Sequence, residues 1–241
     1  METRVAEVAD GIHQLCTHIP EINLGINQYL VTGDEPLLFH TGMQSLFPLV
    51  SKAAAEVIPL DSLRWISFGH YEADESGSMN AWLEVAPQAT VTQGQIGCML
   101  SIGDQAIRPP RPMNDGEVLD LGGHRLRWLD TPHVPHSWDA GTMFDETTGT
   151  LFCGDLFTAF REYDATTDAE DVLLDPALAG EEKDGWSSWS LRPGSGDQVR
   201  RMADLGVRTL APMHAPAFTG DCATPLRRLA DALDEAVASR T

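Results

Sequence analysis

Short runs of alternating or continuous apolar residues dominate the chain, and helical spacing is confined to a few segments. Residues 5–11, 12–20, 27–35 and 36–42 read as strands, punctuated by Gly11, the Gly33–Asp34 turn and Pro36. A helical period follows from Ser45 to Val57, where Leu46, Leu49, Val50 and Ala54 share a face. The strand 63–70 then runs through a Gly/Ser break into a second helix, Asn80–Val85. The middle of the chain is again strand-like at 89–95, 117–123, 124–132, 141–149 and 150–157, with turns at Asp115–Gly116, Gly122–Gly123 and 147–149. The last quarter predicts a helix from Gly196 to Leu205, a strand at 207–214 and an amphipathic helix from Thr224 to Ala238. Thr224 reads there as the N-cap and Pro225 as the first helical residue. Strands followed by helices, twice over, predict two packed sheets with helices outside them. With no internal repeat and no Ser/Gly linker, residues 1–241 read as a single domain.

Composition narrows the partners more than the fold. The chain has 241 residues, 42% of them apolar, enough to build a proper core. No apolar run approaches the roughly 20 residues that span a bilayer. Met1–Asp10 carries no apolar stretch of the signal-peptide kind, so a cytoplasmic location is expected. Sixteen basic against 36 acidic residues give a net charge of −20, which argues against nucleic acid and anionic membranes as partners. Nine carboxylates crowd the segment 161–184, where no element is assigned. Cys16, Cys98, Cys153 and Cys222 are far apart, without a Cys-x-x-Cys pair, and read as buried reduced thiols.

Chemistry-bearing residues gather at four predicted strand ends. Gly69-His70-Tyr71-Glu72-Ala73-Asp74-Glu75-Ser76-Gly77 follows an apolar strand and offers four metal-ligating side chains in quick succession. His70, Glu72 and Asp74 alternate, so an extended chain would project them to one side. Two prolines fix the backbone around His133 in Thr131-Pro132-His133-Val134-Pro135-His136. Asp155 ends the apolar run Leu151-Phe152-Cys153-Gly154, where an unpaired carboxylate would be costly to bury. His214 closes the strand 207–214. Singly, each fits a solvated loop or a packed histidine; together they supply His-x-Glu-x-Asp, His, Asp and His.

In this order and with these flanks, the sequence resembles the metallo-β-lactamase superfamily, from Asn27-Gln28-Tyr29-Leu30-Val31 through Phe39-His40-Thr41-Gly42 to Met213-His214. Hydrolases of that superfamily carry His-x-His-x-Asp-His at the first motif. Glu72 in its place is similar to the flavodiiron branch and its flavodoxin-lacking relatives, the oxygen-binding di-iron proteins. The resemblance implies an α+β fold, an αββα sandwich of two mixed β-sheets flanked by helices. It implies that His70, Glu72 and His133 hold one metal, that Asp74 and His214 hold the other, and that Asp155 bridges both. Glu75 stands where the motif ends in His and is a seventh candidate ligand, unless water takes that position. His40 stands where the resembled motif ends in Asp-Thr-Gly.

Three imidazoles with three or four carboxylates and no thiolate suit iron or manganese better than structural zinc. Two metals about 3.5–4 Å apart can clamp both oxygens of a diatomic or polarise a hydrolytic water. The expected protein is therefore a non-haem di-iron protein that binds, senses or reduces dioxygen, with nitric oxide as a second diatomic ligand. Two iron ions are the expected cofactors, with manganese or zinc as alternatives, and no FMN is expected within the chain. The resemblance further implies a separate rubredoxin- or flavodoxin-like electron donor and a homodimer. A dinuclear hydrolase on the same ligands is the competing reading, and a metal-stabilised binding module is a third. The acidic surface presents no steering field for anionic thioesters or phosphodiesters. Tyr71, Trp138, Phe157, Trp186 and Trp189 are candidates to wall a dry pocket over the metals, though packing is the commoner use of aromatics. His136 reads as a hydrogen-bonding neighbour or a solvent-facing residue, His13 and His18 as structural, and His124 as a turn residue.

Overall fold

Strand β1 (Thr3–Ala9) opens a sheet that follows chain order: β2 (Ile12–Ile19), β3 (Leu24–Val31), β4 (Leu37–Phe39), β5 (Trp65–Ser67), β6 (Thr90–Gly94) and β7 (Arg111–Met113). It is antiparallel from β1 to β4 and parallel from β4 to β7. This is a computed structural model, and it describes residues 1–180 and 189–240; Trp186 and positions 181–184 of the acidic segment lie outside the described residues. A second sheet holds β8 (Val118–Asp120), β9 (Arg125–Asp130), β10 (Gly141–Asp145), β11 (Thr150–Thr158), β12 (Thr166–Thr167), β13 (Thr209–His214) and β14 (Ala217–Thr219). Its spatial order is β12-β14-β13-β11-β10-β9-β8, with β11 parallel to β13 and β12 parallel to β14. Both sheets are mixed, and helices cover their outer faces, so the architecture is the αββα sandwich.

Side-chain alternation explains the layering. In β4, Leu37 and Phe39 enter the core between the sheets while Leu38 joins the core beneath the helices Phe47–Ala54 and Met79–Val85. In β11, Phe152 faces the inter-sheet core, and Leu151 and Cys153 face the helices Glu170–Gly180, Ser195–Ala203 and Ala223–Ala238. These central strands are apolar at successive positions because both of their faces are buried. Next to the end of β13, the sheets are tied by buried side chains of β3. Tyr29 Oη donates to the Pro212 carbonyl at 2.7 Å, and Asn27 Nδ2 donates to the carbonyls of Pro212 and Ala215.

Several boundaries differ from expectation. The first predicted helix is shorter, Phe47–Ala54, entered through a 3-10 turn at Gln44–Leu46. The last helix begins at Ala223, so Pro225 is its third residue. Thr224 is no N-cap; its hydroxyl donates to the Asp221 carboxylate at 2.6 Å, a bond that holds the Asp221 pKa down. Within the acidic segment lies the helix Glu170–Gly180, which buries Leu173, Leu174 and Ala177 against β11. The paired arginines are engaged with carboxylates: Arg200 with Asp231 and Asp234, Arg201 with Asp115, Arg227 with Asp204, and Arg228 with Glu170. All four cysteines are buried free thiols. Among the described residues no helix is long and apolar enough to cross a membrane. Strands β4, β5, β9, β11 and β13 deliver their carboxyl ends, or the loops after them, to one edge of the sandwich, and the histidines and carboxylates meet there.

Candidate metal centre

His70 follows β5, and the chain beyond it changes conformation within a few residues. Glu72 is the last extended residue (φ −139°, ψ 160°), and Ala73–Ser76 forms a single helical turn. The turn is clasped by the loop after β4, where the Thr41 N–H donates to the Glu75 carbonyl at 2.6 Å and Ser78 N–H donates to the Thr41 hydroxyl. Successive residues on a helix point about 100° apart. Asp74 therefore reaches the site cavity, while Glu75 turns into the protein and is fully buried.

Asp155 lies at the centre of the arrangement. Its Oδ2 is 3.8 Å from His70 Nε2 and 3.5 Å from His136 Nε2, and its Oδ1 is 3.3 Å from His214 Nε2. Glu72 Oε2 accepts from His70 Nε2 at 2.8 Å and from His136 Nε2 at 3.1 Å. Donor atoms of His70, Glu72, His136 and Asp155 all lie within 4.8 Å of one another. On the other side, His214 Nε2 is 3.2 Å from Asp74 Oδ2. His214 Nδ1 donates to the Gly25 carbonyl at 2.9 Å, which leaves Nε2 free to bind a metal through its lone pair.

Of the seven residues expected as ligands, His70, Glu72, Asp74, Asp155 and His214 come together. His133 does not: it joins neither the four-residue cluster nor the lining of the site cavity, and His136 occupies the place expected for it. The loop geometry gives the reason. Val134 is buried, Val134 N–H donates to the Thr131 carbonyl, and His133 N–H donates to the Ser137 carbonyl at 2.7 Å with His133 at φ +67°. The pinned turn lets the chain travel three residues further before a histidine faces Asp155. Nothing in the pattern Pro-His-Val-Pro-His separates the two, since a proline precedes each. Glu75, the tentative seventh, lies behind His70: its Oε1 is 3.3 Å from His70 Nδ1 and 3.5 Å from His40 Nε2, and its Oε2 accepts the His70 main-chain N–H at 2.8 Å.

The cavity over the cluster has a volume of about 340 Å³ and an apolar mouth formed by Ile22, Leu24 and Phe160. Among the described residues, the aromatic candidates for a wall over the metals do not line the cavity. Phe157 and Trp189 pack in the core under the second sheet, and Tyr71 and Trp138 are exposed away from the cavity. His124 is more than a turn residue; it is buried and its Nδ1 is bonded to Asp145 Oδ2 at 2.8 Å.

The electrostatics are those of mutually dependent charges. Burial alone would lower the His70 pKa, but Glu75, Glu72 and Asp155 outweigh it and raise it to about 10. Burial also opposes charge on His214, yet Asp155 and Asp74 hold its pKa well above the ordinary imidazole value. Glu72 is held down to about 2 by hydrogen bonds from His136 and His70. Asp155 is held low by His214, His70 and His136 against the opposing effect of burial. Burial pushes Glu75 up to about 7 and His40 down to about 4. Two divalent cations fit this set. Three convergent carboxylates offset most of their charge, three imidazoles turn Nε2 inward, and Asp155 Oδ1 is buried without a hydrogen-bond partner.

Residues 24–176 match the family described as ODP family beta lactamase. A curated relative, diflavin flavoprotein A 2 from Synechocystis sp., is 26% identical over 199 residues, covering 79% of this chain and 33% of its own length. The chain thus spans about a third of the length of the curated relatives it matches first. Among solved structures, a fragment of diflavin flavoprotein A 5 from Nostoc sp. superposes with a TM-score of 0.81 at 20% identity, covering 99% of this chain and 98% of that one. The rubredoxin oxygen:oxidoreductase from the anaerobe Desulfovibrio gigas superposes with a TM-score of 0.80 at 17% identity, covering 98% of this chain and 62% of that one.

Proposed function

Because the chain belongs to the ODP family of beta lactamases, we propose that it is a non-haem di-iron protein that binds and reduces dioxygen, with nitric oxide as a second diatomic ligand. The observation that carries this reading is the central carboxylate of Asp155, whose two oxygens face two separate histidine–carboxylate sets. His70, Glu72, His136 and Asp155 Oδ2 would hold one iron; His214, Asp74 and Asp155 Oδ1 would hold the other. Two bound irons supply one-electron oxidation steps and open positions for a diatomic. The three carboxylates keep negative charge at the site, which favours the more oxidised state of the metals. Gly25 fixes the His214 tautomer, and Ile22, Leu24 and Phe160 give the cavity an apolar mouth that suits a small uncharged ligand. A relative in structure is named as a rubredoxin oxygen:oxidoreductase, which supports a dioxygen substrate and a rubredoxin-like electron donor; a flavodoxin-like donor is the alternative that the resemblance implies. The reading includes a homodimer, implied by the resemblance, and a cytoplasmic location, with which four free thiols agree.

An oxygen electrode tests it. Iron-loaded protein given a reduced rubredoxin should consume dioxygen catalytically, and the rate should vanish in Asp155→Asn. Iron-loaded protein that consumes none, yet hydrolyses ester, lactam or thioester substrates, would overturn the proposal in favour of the hydrolase.

A further inference from the structure

The geometry points to Glu75 as a positioning residue that fixes His70 from behind, leaving Asp74, His214 and Asp155 as the ligands of the second metal among the described residues. The inference rests on the dinuclear reading above. One carboxylate meets His70 at two points: Glu75 Oε2 accepts its main-chain N–H at 2.8 Å, and Oε1 lies 3.3 Å from Nδ1, an ion-pair contact in which no hydrogen bond is formed. The other ring nitrogen, Nε2, faces Glu72 and Asp155. The imidazole therefore stands between Glu75 and the cluster, and the carboxylate cannot reach past it to a metal on the far side.

The backbone around Glu75 is built to hold it there. A Cβ at Gly69 would lie 3.1 and 3.2 Å from its two oxygens, and a Cβ at Gly154 would lie 3.3 Å from Oε1. These two glycines immediately precede His70 and Asp155, so the room for the carboxylate is made next to the ligands themselves. Thr41 fixes the same residue through its main chain, donating N–H and hydroxyl to the Glu75 carbonyl. Partners of metal-bound histidines typically change metal affinity by about 10–100-fold when removed, without being ligands. Among the described residues the two halves of the site are then unequal, with four protein donors on the His70 side and three on the His214 side, and both line the cavity.

Anaerobic titration with cobalt(II), whose visible bands report its ligands, distinguishes positioning from ligation. The wild type and Glu75→Gln should both take up two ions per chain, with affinity on the His70 side reduced about 10–100-fold in the variant. The reduction should persist in a His214→Ala background, where only the His70 side remains, and disappear in a His70→Ala background. Weakened binding in the His70→Ala background, or no effect in the His214→Ala background, would overturn the inference. Wild-type stoichiometry speaks to the two-metal reading separately. One ion per chain, with a Glu75→Gln effect that still depends on His70, would end that reading and keep the role of Glu75. The zinc-loaded wild type gives a check that needs no variant: imidazole ¹⁵N NMR should find His70 bound through Nε2 with its Nδ1 proton strongly deshielded. A His70 bound through Nδ1 contradicts the inference.

Discussion

Replacing Asp155 by Asn keeps the size of the side chain and removes the charge that both halves of the centre share. Asp155 Oδ1 lies 3.3 Å from His214 Nε2, and Oδ2 lies 3.5 Å from His136 Nε2 and 3.8 Å from His70 Nε2. Each subsite therefore loses one anionic donor at a stroke. Removing a residue that merely supports a ligand costs about 10–100-fold in metal affinity, so loss of a donor should cost at least about 100-fold on each side. That is about 2.8 kcal/mol per ion. The assay is competitive titration with a chromophoric chelator, read against the circular dichroism of the metal-free variant, because the residue is buried. Both ions should weaken together. One ion retained at wild-type affinity would refute the bridging role and with it the partition of ligands between two subsites.

His136→Ala should lose the ion on the His70 side and keep the other, while His133→Asn, which suits the positive φ at that position, should bind metal as the wild type does; equal losses in the two variants would contradict the ligand assignment. Gly154→Ala puts a side chain at φ +53° beside Glu75 Oε1, and a left-handed conformation costs a non-glycine residue about 1–2 kcal/mol, so calorimetry should find the melting temperature lower by about 2–8 °C. At the opposite end of the second sheet, burial would raise the Asp145 pKa, but bonds from His124, Thr148 and Thr147 lower it below the unfolded value of 3.8. Its contribution is then complete above about pH 4 and lost as pH falls through the folded-state pKa. Asp145→Asn should flatten that acid limb of the stability curve and cost about 1.5–3 kcal/mol at neutral pH; an unchanged limb in urea melts would show that the carboxylate does not control it.

The strand ends were legible because buried strands read as continuous apolar runs, and a charged residue at the end of such a run stands out. Asp155 after Leu151-Phe152-Cys153-Gly154 and His214 after Leu210-Ala211-Pro212-Met213 are cases in point. Helix Glu170–Gly180 was hidden because carboxylates at 170, 171 and 175 obscure the spacing of Leu173, Leu174 and Ala177, which only the packing against β11 reveals. At the site, alternation grouped His70, Glu72 and Asp74, but it carried no information on where the chain would leave the extended form. The helical turn at Ala73–Ser76, pinned by Thr41 from a distant loop, is what separates Asp74 from Glu75. The choice between His133 and His136 depended likewise on main-chain bonds within a loop, which hydrophobic periodicity does not encode.

The central claim, a dioxygen-reactive di-iron centre, is tested most directly by purifying the protein without oxygen, measuring its metal content and recording its absorption as air is admitted. The account predicts close to two irons per chain and a new band in the near-ultraviolet or visible on exposure. Two zinc ions per chain with a spectrum that does not respond to air would contradict it.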